Sequence, residues 1–335
     1  MAAVSVVVPA YNAARFVAPT LDCVLQQDHP PAEVIVVNDG STDDTASAVG
    51  AYAPAVNLIN IQNGGPTGAR SAGVTAAKCD WLAFCDADDL WRRDHLSRLV
   101  DLADEHDVPF AFSNFTHIRD GRRAERSHFE CDPEGFWMKP GRLVGNGSFV
   151  ADQPLFTRVL AYQAIFPSCT LVKRDFFTRI GGLNPALGRN VSEDLEFTLR
   201  CVREKPAGIV VEPTVEIRRH EQNYTKDWVR TVAGSIEILK YARCNHSLDP
   251  QYLAAVDREI IARSIYGINI CFAGRRYSDI QKFAENLSRD NIPLRTAIKI
   301  GVSKKPIILA DLLRALLTGG STGARLYRLL RRRVG

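Results

Sequence analysis

The sequence predicts an α/β fold with a mostly parallel sheet flanked by helices, followed by a helical C-terminal region. From Val4 to about Phe115, short β-branched runs alternate with amphipathic stretches, as in a series of β-α-β units. Runs such as 4–8 and 34–37 are apolar on both faces, which is typical of parallel strands covered by helices. Beyond Thr225 the pattern is almost wholly helical.

The first 115 residues divide into five predicted strands with four predicted helices between them. The strands are expected at 4–9, 34–38, 56–61, 81–85 and 109–114. The helices are expected at 13–27, 42–52, 67–78 and 92–105. Ligands of such sheets bind outside the carboxyl ends of the strands, so the residues that follow each strand become candidates for a site.

The second half of the pattern is less regular. Residues 116–165 show no clean period, and they are followed by a predicted strand at 168–172 and a helix from Asp175. A further helix at 193–204 and a strand at 208–217 complete this part. We therefore predict one α/β domain over 1–225, with a first half at 1–115 and a second at 116–225, and a helical extension over 226–335.

Charge is distributed unevenly along a chain of ordinary globular composition. The 335 residues are 46% hydrophobic and 24% charged, with a net charge of +4. Residues 295–335 hold ten Lys or Arg against one acid, so the tail carries +9 and the preceding body −5. An acidic body argues against nucleic acid as a partner.

The cysteine pattern and the hydropathy predict a cytoplasmic protein. Eight cysteines are scattered without C-x-x-C spacing, which is typical of free thiols in a reducing compartment. The first residues lead directly into a strand pattern without a basic segment or a cleavage site, and no apolar stretch reaches 18 residues. We expect neither a signal peptide nor a membrane span.

The basic tail contains two short amphipathic segments. Residues 306–317 and 326–333 have apolar faces and basic flanks, and they are separated at Gly319-Gly320. Helices of this kind can lie on an anionic membrane, which would make the protein peripheral at the inner membrane face. The alternative is a terminal helix that packs on the body and leaves a solvated basic end.

An acidic cluster, Asp86-Ala87-Asp88-Asp89, directly follows the fourth predicted strand. Like charges this close destabilise the protein unless a cation or hydrogen-bond donors offset them, which suggests a divalent metal carrying a phosphorylated ligand. The alternative is an Asp-rich turn in which Asp88 or Asp89 caps a helix starting at Leu90.

Three more loop segments accompany this cluster in a defined order. Residues 8–12 (Val-Pro-Ala-Tyr-Asn) follow the first strand, 37–43 (Val-Asn-Asp-Gly-Ser-Thr-Asp) follow the second, and the glycine-rich 64–73 precedes the third helix. Later come Gly-Gly-Leu-Asn at 181–184 and Ser-Glu-Asp at 192–194. Together these segments resemble the family 2 glycosyltransferases with the GT-A fold, a Rossmann-like nucleotide-diphospho-sugar transferase fold.

The resemblance implies a donor site at the carboxyl ends of the first strands. It places Pro9, Tyr11, Asp39, Arg70 and Asp86 around a nucleotide-sugar donor, with the Tyr11 ring available for base stacking and Asp39 for the uracil imide. Arg70 would pair with diphosphate oxygens. Without a ligand, the same residues would be a rim tyrosine, an Asx-turn aspartate and an exposed helix arginine.

The resemblance also implies a metal and a catalytic base. Asp88 would hold Mn²⁺ or Mg²⁺ against the phosphates, and His220 could complete the metal shell. Asp194 would accept the proton of the attacking hydroxyl while Glu193 helps to hold the acceptor. The alternative for Glu193 and Asp194 is a purely structural place in the first turn of a helix capped by Ser192.

These implications define an expected activity and its rivals. We expect an inverting, metal-dependent transfer of one sugar from a nucleotide donor, most simply UDP-linked, to a hydroxyl of a glycan or glycolipid in surface polysaccharide, lipopolysaccharide or glycan assembly. The alternatives are a polyprenyl-phosphate sugar transferase and a non-catalytic nucleotide-sugar binding protein. A sugar nucleotidyltransferase is disfavoured because the loop after the first strand, 9–15, contains no glycine.

Overall fold

The computed structural model describes residues 2–204, 206–221, 223, 227–288, 290 and 292–318. The chain divides into two compact units, with the boundary between Lys226 and Asp227. The first unit is built around a mixed β-sheet, and the second consists of helices.

Eleven strands form one sheet within the described part of the first unit. They are β1 Val4–Ala10, β2 Glu33–Asp39, β3 Asn57–Ile61, β4 Trp81–Phe84, β5 Leu90–Trp91, β6 Phe110–Arg119, β7 Arg122–Arg123, β8 Arg142–Gly145, β9 Ser148–Ala151, β10 Thr170–Lys173 and β11 Ala207–Arg219. The order along the sheet is β3-β2-β1-β4-β10-β6-β11-β9-β8, with β5 paired to β11 and β7 to β6.

The helices of the first unit connect these strands. They are α1 Val17–Leu25, α2 Thr45–Gly50, α3 Gly65–Ala76, α4 His95–His106, α5 Phe156–Ala161, α6 Arg174–Arg179 and α7 Glu193–Cys201. Strands β1 and β2 are buried along almost their whole length, as expected for strands covered by helices on both faces. The predicted α/β fold class is confirmed.

The sheet is parallel in its first part and mixed in its second. Strands β1 to β4 pair in parallel, in agreement with the predicted β-α-β series. Strand β10 is antiparallel to both of its neighbours, β4 and β6, whereas β6 and β11 are parallel. The irregular stretch 116–165 contains the end of β6, the short strands β7, β8 and β9, and helix α5.

The alternative in which the acidic cluster caps a helix starting at Leu90 is wrong. Residues Leu90 and Trp91 form strand β5, which pairs antiparallel with Glu216 and Val215, and helix α4 starts only at His95. Neither Asp88 nor Asp89 therefore caps a helix. The chain stays extended here because pairing with β11 satisfies backbone groups that a helix would otherwise use.

The second unit contains five helices among its described residues. They are α8 Trp228–Asn245, α9 Pro250–Ala273, α10 Tyr277–Ala284, α11 Leu294–Ser303 and α12 Ile307–Thr318. Helix α12 coincides with the first amphipathic segment of the tail, whereas the second segment, 326–333, and Gly319-Gly320 lie outside the described residues. Across the part of the chain that the structure describes, no helix is both long and apolar enough to cross a bilayer.

Candidate active site

Three candidate loops meet at one edge of the sheet because their strands are parallel neighbours. Ala10 on β1 is paired with Asn38 on β2, and Val7 is paired with Phe84 on β4. The amide of Cys85 also donates to the carbonyl of Val7, at 3.0 Å. The segments after these strands therefore bring Tyr11, Asp39 and Asp86 to the same edge.

The nucleoside end of the predicted site contains one exposed ring and one buried acid. Tyr11 is 54% exposed, so its face is open to a ligand, whereas Asp39 is buried. The Asp39 carboxylate accepts a hydrogen bond from the Gly64 amide at 2.7 Å. Burial raises the pKa of Asp39, and the amides of Gly64 and Gly65 oppose that rise.

Asp39 is not the residue that shapes its own loop. That turn is instead held by Asn38, whose side-chain oxygen accepts from the Ser41 amide at 3.2 Å. Asp39 reaches across to the start of α3, so its carboxylate ties the second loop to the glycine-rich segment. The alternative of an Asx turn at Asp39 is therefore wrong, and Pro9 lies half-buried in β1 directly before the first loop.

The acidic cluster divides into three side chains with different surroundings. Asp86 forms an ion pair with Arg70, and Asp88 lies 2.9 Å from His220 Nε2. Asp89 is buried and accepts from Ser168 Oγ at 2.5 Å and from the Arg218 amide at 3.2 Å. Burial, followed by the neighbouring Asp88 and Asp86 charges, raises the pKa of Asp89 well above its ordinary value. Asp89 thus anchors the loop, while the other two acids face the site.

Asp88 and His220 lie in direct contact with each other beside the acidic loop. The His220 ring stacks on Phe16 with centroids 4.1 Å apart, which fixes its orientation. Asn223 also donates to Asp88 Oδ2, at 3.1 Å. Both side chains remain partly exposed, 27% for Asp88 and 19% for His220. One carboxylate and one imidazole suit Mn²⁺ or Mg²⁺ whose other ligands come from phosphates and water.

No protein-only metal cage is formed within the described residues, since no three His, Cys, Asp or Glu side chains cluster there closely enough to hold an ion. The pair Asp88 and His220 is therefore the candidate metal position in this part of the chain, with a bound diphosphate supplying further oxygen ligands.

Arg70 joins the acidic cluster to the acid pair at 193–194. Its Nη2 lies 2.6 Å from Asp86 Oδ1, and its Nη1 lies 2.9 Å from Glu193 Oε1. The guanidinium is almost fully buried, with a side chain only 6% exposed. Arg70 is therefore not an exposed helix arginine. Both of its terminal nitrogens already hold carboxylates, so the prediction that they pair with diphosphate oxygens has no support from these contacts.

Asp194 lies beside this ion-pair network. A cavity of about 20 Å³, room for roughly one water molecule, is lined by Asp194, Arg70, Phe84 and Pro167 among others. Burial raises the pKa of Asp194 to about 7, the negative charge of Glu193 adds to that rise, and Arg70 opposes it. A carboxyl group with a pKa near neutrality is well suited to accept a proton at physiological pH.

The structure thus joins Asp86, Arg70 and Glu193 in one ion-pair network, with Asp194 lining the same cavity as Arg70 and Glu193. Asp88 and His220 form a second contact at the same acidic loop. Sequence reasoning missed Ser168, which binds both the Asp86 amide at 3.0 Å and the Asp89 carboxylate. It also missed Phe16 and Asn223. No local pattern marks these residues, because their role depends on contacts with segments far away along the chain.

Comparisons with known proteins identify similar sequences and similar folds. Residues 5–159 match the family model described as Glycosyl transferase family 2. The succinoglycan biosynthesis protein ExoO from Rhizobium meliloti (strain 1021) is 40% identical over 122 residues, which cover 36% of this chain and 35% of that protein. The glycosyltransferase GlyG from Streptococcus pneumoniae serotype 4 is 28% identical over 191 residues, covering 53% of this chain and 58% of that one. The matches thus span between about a third and three fifths of these two relatives.

Solved structures share the fold at low sequence identity. The S. aureus TarS fragment in complex with UDP-GlcNAc superposes with a TM-score of 0.56 at 18% identity, covering 97% of this chain and 89% of that one. The mannosyltransferase PcManGT from Pyrobaculum calidifontis, in complex with GDP-Man and Mn²⁺, gives a TM-score of 0.54 at 19% identity, covering 95% and 88%. The family model and the curated relatives thus identify residues 5–159 as a glycosyltransferase family 2 domain, and the solved structures show that the fold is shared.

Proposed function

We propose that this protein is an inverting, metal-dependent glycosyltransferase that moves one sugar from a nucleotide diphosphate donor, most simply UDP-linked, to a hydroxyl of a glycan or glycolipid. One observation carries the proposal. A single buried guanidinium, Arg70, lies within 2.9 Å of both Asp86 from the donor-side cluster and Glu193 beside the candidate base. Asp86, which is assigned to donor binding, and Glu193, which is assigned to acceptor binding, therefore belong to one site.

The proposed step is a single displacement at the anomeric carbon. The acceptor oxygen forms a bond to that carbon, and the bond to the diphosphate oxygen breaks with its electron pair leaving on the nucleoside diphosphate. Asp194 takes the proton of the attacking hydroxyl, for which its pKa near 7 is suited. Glu193, fixed by Arg70, helps to orient the acceptor. Attack from the face opposite the leaving group inverts the anomeric configuration.

Asp88 and His220 would hold the divalent cation, and Tyr11 and Asp39 would receive the base. The cation supplies positive charge that stabilises the leaving diphosphate. Phe16 and Asn223 keep the two metal-binding side chains oriented, through ring stacking and an amide hydrogen bond. The Mn²⁺ complex of PcManGT and the UDP-GlcNAc complex of TarS support this class of cofactor and donor. The name of ExoO supports surface polysaccharide assembly as the setting.

A thermal-shift screen with UDP-, GDP- and dTDP-sugars, each with Mn²⁺ and with chelator, tests the donor assignment. A ligand that binds only the native state raises the melting temperature in proportion to its affinity and concentration. We expect UDP-sugars to raise it in the presence of Mn²⁺ and to have little effect after chelation. A metal-independent shift would contradict the roles of Asp88 and His220.

Turnover with the Asp194→Asn variant tests the chemistry. We expect transfer to fall by about 10²–10⁴-fold while the thermal shift with donor and Mn²⁺ is retained, because the amide cannot accept the proton. Unchanged turnover would instead favour an acceptor that is already an anion, such as a polyprenyl phosphate. Donor binding without product from any acceptor would indicate a nucleotide-sugar binding protein.

A further inference from the structure

Helix α12 packs on the second unit with its charged side turned inward. Asp311 accepts a hydrogen bond from the Tyr277 hydroxyl at 2.7 Å and lies 3.5 Å from Arg275. Arg314, one turn later and only 20% exposed, lies 3.9 Å from the same carboxylate. Ala310 is fully buried on this side. The contacts that hold α12 in place therefore include an ion-pair cluster. An ordinary surface helix differs, because it packs its apolar face against the core and exposes its charged face.

The opposite side of α12 is apolar and exposed. At about 100° per residue, five positions fall within an arc of about 120°. They are Ile308, Leu309, Leu312, Ala315 and Leu316. The exposed fraction is 76% for Ile308, 60% for Leu312 and at least 40% for the two other leucines, and Ile307 at the helix start is 66% exposed. A continuous row of exposed large aliphatic side chains is typical of an interaction surface.

Positive charge flanks helix α12 along the chain. Lys304 and Lys305, directly before the helix, are exposed. The chain from Asp227 to Gly335 contains 19 Lys or Arg and nine Asp or Glu, a balance of +10, which leaves the first unit with −6. Residues 319–335 contribute five arginines and no acid to this excess. The partner that matches an aliphatic row between basic groups is an anionic lipid surface.

We propose that the outward face of α12 docks in the interfacial layer of an anionic membrane, with its axis parallel to the bilayer plane. Isoleucine and leucine side chains would enter the boundary between headgroups and acyl chains, while Lys304 and Lys305 contact lipid phosphates. A helix of 12 residues is too short to span a bilayer, which needs about 20. This inference stands independently of the transfer reaction.

A second copy of the chain fits the same surface poorly. A two-fold contact between two α12 faces would bring the flanking lysines of both copies together, because the same patch meets itself. One face of a three-turn helix is also much smaller than the roughly 800 Å² per partner of a standard stable interface. Lipid phosphates instead neutralise the flanking charge.

Flotation of the full-length protein with liposomes tests the inference. The vesicles contain phosphatidylcholine alone or with about a quarter phosphatidylglycerol. We expect binding to the anionic vesicles, and a loss of at least about tenfold in the variant Ile308→Gln/Leu312→Gln/Leu316→Gln. The matched control is Leu143→Gln, an exposed leucine of the first unit that is 62% exposed against 60% for Leu312, and it should bind like the wild type. Lys304→Gln/Lys305→Gln should weaken binding to the anionic vesicles.

The control measurements separate the inference from misfolding and from self-association. The triple variant should retain the melting temperature of the wild type, because the substituted side chains are exposed and glutamine is a good helix former. Equal flotation of wild type and triple variant would overturn the inference. A dimer of the wild type in lipid-free solution that the triple variant dissociates would overturn it too, since the face would then be a protein interface.

Discussion

At Arg70, one buried guanidinium holds carboxylates from two distant parts of the chain. Asp86 lies 16 residues away and Glu193 lies 123 residues away, and both accept hydrogen bonds from its terminal nitrogens. The adjacent carboxylates raise the pKa of Arg70, so it keeps its charge despite burial. Removing that charge would leave the buried Glu193 carboxylate, which is 8% exposed, without its cation, and this is more costly than breaking a surface pair.

Replacement of Arg70 by methionine should therefore destabilise the protein strongly. We expect a loss of about 3–5 kcal/mol in the free energy of unfolding, measured by urea denaturation at neutral pH. The control is Arg158→Met, which breaks a pair of similar geometry with Glu134 at 2.8 Å. There both side chains are exposed, 44% and 65%, so we expect about 0–1 kcal/mol. Similar losses in the two variants would contradict the role of Arg70 as a buried bridge.

The raised pKa of Asp194 has a consequence for stability. Its pKa is about 7 in the folded protein against an ordinary value of 3.8, so between these values the folded state binds more protons than the unfolded state. The contribution of Asp194 to the free energy of unfolding is therefore fully present below pH 3.8 and is lost as the pH rises to about 7. Ionisation of Asp194 beside Glu193 thus destabilises the fold.

Asp194→Asn should accordingly be more stable than the wild type at pH 8, by roughly 1–4 kcal/mol, because the neutral amide needs no ionisation. The gain should shrink steadily as the pH is lowered to 4. Thermal melts across this range measure it, with the exposed Asp44→Asn as the control. A gain that is independent of pH would show that Asp194 does not titrate in this window.

Among the elements, helix α3 connects the two halves of the site. Its first residues donate to Asp39, and its second turn carries Arg70. Gly65 has a φ of +76°, and a Cβ there would overlap the carbonyl of Gly188 in the loop before α7. A glycine is needed at this position for both its conformation and its close approach. The glycine-rich segment thus determines how closely α3 approaches the loop before α7.

A glycine pair in α3 provides a matched test of this packing. In Gly73→Ala the added methyl would overlap the Val7 side chain and lie 3.3 Å from Val37, so we expect a loss of about 1–3 kcal/mol. In Gly68→Ala nothing lies within 4 Å, and the better helix propensity of alanine should stabilise by about 0.5–1 kcal/mol. Chemical denaturation of both variants measures the difference. Equal effects would mean that α3 is not packed closely on β1 and β2.

At the scale of the whole molecule, the contacts divide between two units at Lys226 and Asp227. Every residue assigned here to donor, metal or base lies in the first unit, which has its own sheet and core. The second unit carries the basic excess and the exposed face of α12. The proposed donor site and the proposed membrane-docking face therefore lie in separate parts of the chain.

A fragment of residues 1–226 should fold cooperatively and bind the donor. We expect one thermal transition and a melting temperature raised by UDP-sugar with Mn²⁺, as in the full-length protein, because the proposed site is complete in this unit. Its flotation with anionic vesicles should be lost. A fragment that aggregates or shows no cooperative transition would indicate that the first unit depends on the helices that follow it.

Much of the first unit could be predicted from local patterns. Hydrophobic periodicity located β1 to β4 and the helices between them, with boundaries that moved by a few residues. The ends of parallel strands necessarily meet at one edge, so Tyr11, Asp39 and Asp86 could be grouped without a structure. The order β4-β10-β6-β11 could not be predicted in this way, because β10 lies between two strands that precede it in the chain. A local hydrophobic pattern indicates a strand but not its distant pairing partner.

The sequence by itself determined the resemblance of residues 5–159 to glycosyltransferase family 2, the order of the site motifs and the position of the positive charge, since each is a property of residues close together in the chain. Only the tertiary structure decided that Arg70 binds two carboxylates, that Asp88 meets His220 across 132 residues, and that α12 exposes Leu309, Leu312 and Leu316. These outcomes depend on which residues far apart in the chain pack against one another. Burial and pairing there determine the charge, orientation and exposure of each side chain.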